Sequence, residues 1–405
     1  MTNQDQNIKL VKEYLQALGS GDFDSIAEML TDDVIWNVAG SPNVSTVGLL
    51  KGKEQVLKWL LNFPENFKPL ELTFKYYLSN ENDVVAVGKF RHVVKSTGRI
   101  AGSNMVMIIS VKTGKISRYE ILEDSDLLNK AFDPNYSWDI QKVKINGHIY
   151  EYGDKGIGEP ILFAHGLFMN HTIFESQIKL LEKAFRCISF NMPGHGESGY
   201  NKEGWTLDSL VDDLALFITE NDLKSVTFVG QSFGGTVGMI LAARYPELVK
   251  KLILLGTTSH EEFSDRIENW KGVRKNILTA SPSELEEVFK KIQEKTKGKG
   301  WLENNQDEAK EERKLMLSHD VEGLAIAIDA AVLGRENITN ILSTIKCPTT
   351  VVIGTDDTAT PIELSYEIAN KIPNSKLEII QNAGHHLHIE APEALSKIMI
   401  EFMNA

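Results

Sequence analysis

The chain has 405 residues, of which 42% are hydrophobic and 24% are charged, and its formal net charge at pH 7 is −13. This is the composition of a globular protein that is long enough for two or three domains of roughly 100–200 residues each. The acidic balance argues against nucleic acid or an anionic membrane as a partner. No stretch approaches the roughly 18 consecutive apolar residues of a membrane span, and the first residues lack the layout of a signal peptide.

The cysteine content indicates the cellular compartment. Cys187 and Cys347 are the only cysteines and both lie in apolar runs, so we expect small buried core residues. Two cysteines make neither a disulfide framework nor a zinc knuckle. A cytoplasmic location is the simplest expectation for such a chain.

The first 130 residues combine helices with a run of extended segments. Residues 5–18 carry apolar side chains on one helical face, and further helical stretches follow at 22–30 and in KGKEQVLKWLLNF. The extended segments are VIWNVAG, three stretches around 70–79, 83–94 and 102–111, and the run KISRYEILE. Helices followed by strands predict an α+β cone, in which helices pack over a curved antiparallel sheet.

This layout resembles the SnoaL-like, or polyketide-cyclase-like, branch of the nuclear-transport-factor and ketosteroid-isomerase superfamily. The matching stretches are ALGSGDFDSIAEMLTDDVIW, LKGKEQVLKWL and VKTGKISRYEILEDSDLL, and the resemblance covers about residues 5–130. We therefore assign residues 1–130 to a SnoaL-like domain.

The general base of that superfamily is not found at its usual position. The strand after an Asp-Asp pair often continues there as W-x-D-P with a catalytic aspartate, whereas Trp36-Asn37 is followed here by Val38-Ala39. The resemblance therefore implies dimerisation, giving a homodimer through this domain, or ligand capture, rather than isomerase or cyclase activity. Alternation along the strands leaves open which of the remaining polar candidates face into the cone: His92, Asn104, Tyr119 and Glu120.

A linker and a second domain follow. Pro134 interrupts both helical and strand patterns in residues 131–141, which are predicted to form the linker. From residue 142 onward, apolar strands alternate with helical stretches, a pattern typical of βαβ units and a mostly parallel sheet that is covered on both faces. The predicted strands are KVKINGHIYEY, PILFAHG, FRCISF, SVTFVG, KLILLG, TTVVIG and KLEIIQ.

Residues 260–340 interrupt this alternation with helices alone. An all-helical insertion between two core strands is the pattern expected of a cap over an active site. The insertion carries four large aromatic side chains, which are more often core residues of such a cap than substrate contacts: Phe263, Trp270, Phe289 and Trp301.

The segment VTFVGQSFGGTVGMILAARYPE, residues 226–247, contains the strongest functional motif. An apolar strand leads into GQSFG, with Ser232 at its centre, and a helix of small residues follows. This is the context that a G-x-S-x-G nucleophile elbow requires. The turn pushes the Ser232 hydroxyl out of the fold, and glycines on either side avoid collisions with the neighbouring strand and helix. The motif predicts nucleophilic catalysis, for which a base must remove the serine proton.

The segment NAGHHLHIEAPE, residues 382–393, supplies candidate bases. Three histidines and a glutamate could bind zinc, but the elbow already accounts for one histidine and no H-E-x-x-H motif occurs elsewhere, so no metal is expected. NAGH followed by glutamate and PE strongly resembles the histidine loop of α/β-hydrolases. That resemblance implies that His385 is the catalytic base and that His388 and Glu390 pack or tether the loop. It assigns no role to His386.

The resemblance to α/β-hydrolases covers roughly residues 142–405 and also implies the acid. In this family the partners follow in the order serine, acid, histidine. Two carboxylates, Asp356 and Asp357, compete after the predicted strand TTVVIG, and the family spacing G-x-x-D, counted from Gly354, selects Asp357. The alternative position after KLILLG offers only hydroxyl side chains: Thr257, Thr258 and Ser259.

Two backbone N–H groups are expected to form the oxyanion hole, those of Phe233 after the nucleophile and Leu167 in FAHGLF. They would stabilise the negative oxygen of the tetrahedral intermediate. His165 in the same loop is expected to be structural. The stretch GHGESG, residues 194–199, satisfies G-x-G-x-x-G, but Pro193 precedes it and a loop follows where a dinucleotide site needs a helix. No cofactor is therefore expected.

The sequence thus predicts an α/β-hydrolase fold with a helical cap, preceded by a smaller α+β cone domain. The implied function is a serine hydrolase that cleaves a small-molecule carboxylic ester or lactone through an acyl-enzyme. C–C bond hydrolysis, acyl transfer or perhydrolysis on the same triad stays open, as does a ligand-binding module with little turnover. Ser232 argues against haloalkane dehalogenases and epoxide hydrolases, which resemble this fold but have aspartate at that position.

Overall fold

The computed structural model describes residues 2–41, 44, 46–133, 140–221 and 223–404. The chain divides into two units, Met1–Asp139 and Ile140–Ala405, and each unit has its own hydrophobic core. The segment predicted as a linker falls mostly on residues 134–139, which lie outside the described residues. Within the described ranges, no helix is both long and apolar enough to cross a membrane.

The N-terminal unit packs helices against one six-stranded sheet. Its helices are α1 (Asn3–Ser20), α2 (Phe23–Met29), α3 (Lys53–Asn66) and α4 (Ser125–Phe132). Its strands are β1 (Leu30–Val38), β2 (Gly48–Lys51), β3 (Phe67–Ser79), β4 (Asp83–Val94), β5 (Ile100–Lys112) and β6 (Lys115–Leu122). The strand order is β2-β1-β6-β5-β4-β3, with β1 and β6 parallel and the other neighbours antiparallel.

Aromatic side chains fill the interior of this unit. Trp36 is 2% exposed, and its ring centroid lies 4.8 Å from that of Trp59 and 4.5 Å from that of Tyr119. At the position where the superfamily often has an aspartate, Val38 is buried. The interior around Trp36 is therefore built from rings and aliphatic groups.

The four polar candidates for a pocket in the cone have different surroundings. Tyr119 is buried in the aromatic core, and the His92 ring packs among phenylalanine rings. Burial lowers the pKa of His92 to about 4, so this histidine is neutral at pH 7. Asn104 is exposed, and Glu120 accepts a hydrogen bond of 3.5 Å from Asn37. These four side chains therefore do not form one polar cluster.

The C-terminal unit is built on an eight-stranded sheet. Its strands are β7 (Ile140–Ile145), β8 (His148–Lys155), β9 (Glu159–Ala164), β10 (Phe185–Phe190), β11 (Val226–Gln231), β12 (Val249–Leu255), β13 (Thr349–Gly354) and β14 (Ser375–Ile380). The order is β14-β13-β12-β11-β9-β10-β8-β7. Strands β9 to β14 run parallel, as predicted, while β7 and β8 are antiparallel additions at one edge.

Helices cover this sheet and form the insertion between β12 and β13. In chain order they are α5 (Glu175–Leu181), α6 (Leu207–Glu220), α7 (Phe233–Arg244), α8 (Ser264–Thr279), α9 (Pro282–Thr296), α10 (Trp301–Asn304), α11 (Gln306–Leu317), α12 (Val321–Ile328), α13 (Ile362–Lys371), α14 (Leu387–Glu390) and α15 (Pro392–Asn404). Helices α8 to α12 form the helical cap that the sequence predicts at about 260–340. A π-helical stretch, Asp329–Leu333, and a 3-10 helix, Thr339–Thr344, lead from the cap to β13.

Two expectations for this unit need correction. The predicted strand KVKINGHIYEY is a hairpin, because Asn146 and Gly147 have φ of 48° and 90° and turn the chain between β7 and β8. Positive φ at both central residues is typical of a two-residue hairpin turn. Cys187 is buried as expected, whereas Cys347 is only partly buried.

Candidate active site

Ser232 lies in a strained turn between β11 and α7. Its φ of 54° and ψ of −122° are rare for a residue with a side chain, and such strain persists only where neighbouring contacts impose it. The Ser232 N–H donates to the Leu255 carbonyl at 2.9 Å, and the Thr257 hydroxyl donates to the Ser232 carbonyl at 2.6 Å. A Cβ at Gly234 would lie 2.4 Å from the Ala164 carbonyl oxygen, so only glycine fits there.

Asp357 and His385 meet at the ends of neighbouring strands. Asp357 follows β13, His385 follows β14, and the His385 Nδ1 lies 2.8 Å from the Asp357 Oδ2. Both side chains are almost fully buried, at 0% and 6% exposure respectively. The backbone N–H groups of Ala359 and Thr360 donate to the Asp357 Oδ1, each at 2.9 Å. These contacts fix the carboxylate against the imidazole.

The surroundings of Asp357 favour its ionised form. Burial raises the pKa of this carboxyl group, but the electrostatic interaction with His385 and the hydrogen bonds from His385 and Thr360 outweigh it. The pKa of Asp357 therefore lies below its usual value of 3.8. An ionised carboxylate at this position accepts the Nδ1–H of His385 and leaves the Nε2 as the free acceptor of the imidazole.

Asp356, the competing carboxylate, faces away from this pair. It accepts a hydrogen bond of 3.0 Å from the backbone N–H of Lys299, in the loop between α9 and α10. The Thr355 hydroxyl donates to its other oxygen at 3.2 Å. Of the two neighbours, only Asp357 contacts His385.

A cavity of about 100 Å³ connects the predicted site residues. Ser232 and His385 line it, and so do Leu167 and Phe233, while Asp357 lies behind His385. Phe263 and Trp270 of the cap also line the cavity, but Phe289 is fully buried inside the cap. The fourth aromatic residue, Trp301, packs its ring under the Lys297 ammonium at 4.6 Å.

The loop after β9 approaches Ser232 closely. A Cβ at Gly166 would lie 3.0 Å from the Ser232 Cβ and 2.0 Å from the Gln231 Oε1, so a side chain is excluded here. Among the described residues, no hydrogen-bond acceptor is recorded for the backbone N–H of Leu167 or of Phe233. Phe233 is the first residue of α7, where N–H groups have no partner within the helix. Both residues line the cavity, so their N–H groups are the candidate donors to a ligand there.

Comparison with known proteins identifies the family and supports the fold of both units. A family model described as the alpha/beta hydrolase fold matches residues 159–392. The chain belongs to the alpha/beta hydrolase family. A second model, described as a SnoaL-like domain, matches residues 11–119. Both predicted resemblances, and with them the predicted fold class, are confirmed.

Individual relatives of this alpha/beta hydrolase cover its larger unit. The AB hydrolase superfamily protein YisY of Bacillus subtilis is 30% identical over 269 residues, which are 65% of this chain and 98% of the relative. The (E)-2-((N-methylformamido)methylene)succinate hydrolase of Acinetobacter baylyi is 27% identical over 63% of this chain and 94% of its own length. The solved structure of a thermophilic esterase from Thermogutta terrifontis is 28% identical, covers 65% of this chain and 98% of that one, and gives a TM-score of 0.60.

Two histidines of this hydrolase hold the loop that carries Leu167. The backbone N–H of Phe168 donates to the His195 Nε2 at 3.1 Å, and the Phe168 carbonyl lies 3.0 Å from the His319 Nε2. The Gly196 N–H donates to the His319 Nδ1 at 3.1 Å. The stretch GHGESG thus joins the loop after β9 to the cap.

A buried charged cluster joins the cap to the histidine loop of the hydrolase. The Lys297 Nζ lies 2.6 Å from the Glu312 Oε1, and the same oxygen lies 2.6 Å from the His386 Nδ1. The Lys297 Nζ also lies 2.9 Å from the His386 Nδ1, so the three groups contact one another. Burial, followed by the repulsion of Lys297, lowers the pKa of His386 and keeps it neutral.

Backbone contacts reinforce this connection. The His385 N–H donates to the Thr296 carbonyl at 2.7 Å. One oxygen of Glu390 accepts hydrogen bonds from the N–H groups of Gly298 and Gly384 at 2.7 and 2.8 Å, and the other accepts from His386 at 3.0 Å. The expected tethering role of Glu390 is confirmed. The cap therefore contributes directly to the position of His385.

The three histidines of the loop do not converge on one point. His385 contacts Asp357, His386 contacts Glu312, and the His388 ring packs 5.5 Å from that of Phe174. In the part of the chain that the structure describes, no group of three or more potential ligands is arranged to hold a metal ion.

Sequence reasoning missed the groups that support the site. Lys297, Glu312, His195 and His319 come from four separate segments, and the contacts among them depend on how the cap folds back. Residue type gives no signal either, since Lys297 lies in KTKGKG and Glu312 in AKEERK, where neighbouring charged residues are just as plausible on the surface.

Proposed function

We propose that this protein is a serine hydrolase that cleaves a small carboxylic ester or lactone through an acyl-enzyme on Ser232. The observation that carries the proposal is the strained turn that holds Ser232 at the wall of the cavity. His385 lines the same cavity and is hydrogen-bonded to Asp357. In such an arrangement a base can remove the serine proton while a carboxylate fixes the tautomer of that base.

The proposed reaction has two halves. The Ser232 oxygen attacks the acyl carbon, its proton passes to the Nε2 of His385, and Asp357 stabilises the resulting cation. The N–H groups of Leu167 and Phe233 donate to the carbonyl oxygen as it becomes negative. The bond to the leaving alcohol breaks when His385 returns the proton to the alcohol oxygen. Water then repeats the sequence on the acyl-enzyme and releases the acid and Ser232.

The size of the cavity favours a small substrate. Its volume is only about 100 Å³. Apolar side chains from the cap, including Trp270, Ile292 and Met316, form part of its wall. We therefore expect short-chain acyl groups or small lactone rings rather than long acyl chains.

The test compares the wild type with Ser232→Ala on 4-nitrophenyl acetate, 4-nitrophenyl butyrate and a set of small lactones. A fluorophosphonate label is applied in parallel to the intact protein. Ser283→Ala, an exposed serine at the start of α9, is the matched control. We expect kcat to fall by at least about 10³-fold in Ser232→Ala and labelling to disappear. The control should keep the wild-type kcat and the wild-type labelling.

The other outcomes separate the alternatives. Labelling at Ser232 without turnover of any ester or lactone would favour ligand capture or a different acyl reaction. Turnover that survives in Ser232→Ala would contradict the proposal.

A further inference from the structure

The cavity wall carries more positive than negative charge next to the proposed nucleophile. Three charged side chains of the cap region line the cavity together with Ser232: Glu262, Arg266 and Arg335. Two cations and one anion leave an excess of positive charge in a confined space.

Arg335 is already held and partly neutralised by its neighbours. Its Nε donates to the His260 carbonyl at 2.7 Å and its Nη1 donates to the Ala331 carbonyl at 2.9 Å. Its Nη2 lies 3.7 Å from the Glu262 Oε2, and both side chains are about nine-tenths buried, with 9% and 10% exposed. Burial lowers the pKa of Arg335, and Glu262 followed by Glu261 only partly offsets this effect. Among the described residues that line the cavity, Glu262 is the carboxylate, and it is the ion-pair partner of Arg335.

Arg266 has no such partner. The guanidinium has five N–H groups, and one of its nitrogens, Nη1, donates to the Ala359 carbonyl at 2.9 Å. Its carbon atom lies 5.5 Å from the centre of the Phe263 ring, which supports one face of the group. Within the described residues, no carboxylate lies within 4 Å of Arg266. The remaining N–H groups are therefore available to a ligand.

The anchor of Arg266 ties it to the catalytic acid. The carbonyl of Ala359 accepts the hydrogen bond from Arg266. The N–H of the same residue donates to the Asp357 Oδ1 at 2.9 Å. The guanidinium is thus hydrogen-bonded to the backbone of the loop that carries Asp357. A planar cation held in this way matches a carboxylate, which can accept two parallel hydrogen bonds from it.

Building on the proposed function, we propose that Arg266 binds a free carboxylate of the substrate, so that the substrate is an ester or lactone that also carries a carboxylate group. Arg335 lines the same cavity and adds to its positive potential. The apolar part of the wall, which includes Trp270, Val332 and Leu364, contacts the hydrocarbon between the carboxylate and the reacting acyl group. The substrate class is therefore a half-ester of a small dicarboxylic acid or a lactone acid.

The test uses pairs of esters that differ in a carboxylate. Mono-4-nitrophenyl glutarate is compared with 4-nitrophenyl pentanoate, and 4-acetoxybenzoate with 4-methylphenyl acetate, so that the charge lies in the acyl half or in the leaving group. We expect Arg266→Gln to lower the ratio of kcat/KM for the charged over the neutral ester by about tenfold or more in at least one pair, which is the size of a charged hydrogen bond. Arg266→Lys should recover part of the ratio.

Arg274→Gln is the matched control. Arg274 lies on the same helix α8, pairs with Asp329 at 2.7 Å and does not line the cavity. Its replacement should leave both kcat/KM values within about twofold of the wild type, since exposed ion pairs contribute little. Glutarate and neutral glutaramide provide a readout without turnover, and their binding is measured by calorimetry. We expect glutarate to bind more tightly, and Arg266→Gln to remove the difference.

The outcomes distinguish this inference from the proposed function. An unchanged ratio of charged to neutral ester in Arg266→Gln, or an equal loss for both esters, would show that Arg266 only supports the fold. Glutarate that binds no better than glutaramide would contradict the inference even without turnover. Ester hydrolysis that persists in Ser232→Ala would instead overturn the proposed function.

Discussion

The neighbouring carboxylates Asp356 and Asp357 provide an internal comparison at the scale of single residues. In Asp357→Asn the amide oxygen can keep the hydrogen bonds from Ala359 and Thr360, which places the NH₂ group against the His385 Nδ1. The imidazole would then carry its proton on Nε2 and could not accept the serine proton. We expect kcat for 4-nitrophenyl acetate to fall by about 10⁴-fold, as the wrong tautomer does in a serine protease.

Asp356→Asn is the control for that prediction. Asp356 contacts Lys299 and Thr355 but not His385, so its replacement should leave kcat within about threefold of the wild type. Melting temperatures of both variants establish that the fold is intact. A larger loss of kcat in Asp356→Asn than in Asp357→Asn would show that the acid is assigned to the wrong residue.

The contacts of His319 lead us to predict that the free energy of unfolding falls in acid. Its Nδ1 accepts from Gly196 and its Nε2 donates to Phe168, so a second proton on Nδ1 would oppose the Gly196 N–H. Burial lowers the pKa of His319 to about 4 from 6.5. Between these two pH values the unfolded chain binds more protons than the folded protein. The contribution of His319 to the free energy of unfolding is therefore fully present above about pH 6.5 and is lost as the pH falls towards 4.

The variant His319→Gln isolates this contribution, because glutamine can accept from Gly196 and donate to Phe168 without titrating. Urea unfolding is followed by fluorescence at pH 7.5 and pH 5. We expect the free energy of unfolding of the wild type to fall by roughly 2 kcal/mol more than that of the variant over this range. An equal fall in both proteins would mean that His319 does not titrate in this interval.

At the scale of elements, the charged cluster of Lys297, Glu312 and His386 joins the cap to the histidine loop. In Lys297→Met, Glu312 remains buried beside the neutral groups of His386 and Gln293, and burial raises the pKa of a carboxylate that has lost its cation. Removing one partner of such a pair typically costs about 3–5 kcal/mol of stability. We expect a decrease of that size in the free energy of unfolding, measured in urea.

Two further variants make this prediction specific. Lys314→Met, on helix α11 like Glu312, removes a lysine from an exposed pair and should cost less than about 1 kcal/mol. The double variant Lys297→Met/Glu312→Gln removes both charges and keeps a hydrogen-bonding side chain beside His386, so it should recover part of the loss. Equal effects of Lys297→Met and Lys314→Met would show that the cluster does not stabilise the cap.

Patterns within one segment predicted most elements of this protein, and the exceptions have physical reasons. The strand TTVVIG coincides with β13, because a fully buried parallel strand is a continuous apolar run. The hairpin of β7 and β8 was read as one strand, because alternation continues on both sides of Asn146 and Gly147. An Asn-Gly pair between alternating segments is a turn signal that should have divided it.

Some residues of the candidate site could likewise be predicted from the sequence, and others could not. Ser232, Asp357 and His385 could be named from motifs because each follows a strand at the same edge of the sheet, where their side chains meet. Their catalytic roles stay predictions until activity is measured. The unpaired charge of Arg266 and the contacts of His319 could not be predicted, because both depend on where the cap folds back over the sheet.

At the scale of the whole molecule, the two units have separate hydrophobic cores, and we expect them to have separable roles. Strand β3 lies at the edge of the N-terminal sheet, and among the described strands it pairs only with β4. Leu70, Tyr76 and Leu78 on this strand are 43%, 54% and 65% exposed. A group of exposed apolar side chains on one strand is a surface that can associate with another chain. We therefore propose that two copies associate through the N-terminal unit.

Light scattering after size exclusion tests this proposal on the full chain and on a fragment of residues 140–404. The full chain should have twice the mass of one chain, whereas the fragment should be a monomer that keeps Ser232-dependent hydrolysis. Tyr76→Lys/Leu78→Lys should give a monomer, because the two charges replace the most exposed apolar side chains of this surface. Leu216→Lys, at a side chain with 40% exposure on helix α6, is the control and should stay dimeric. A dimeric fragment would place the interface on the hydrolase unit, and a monomeric full chain would leave ligand capture as the role of the N-terminal unit.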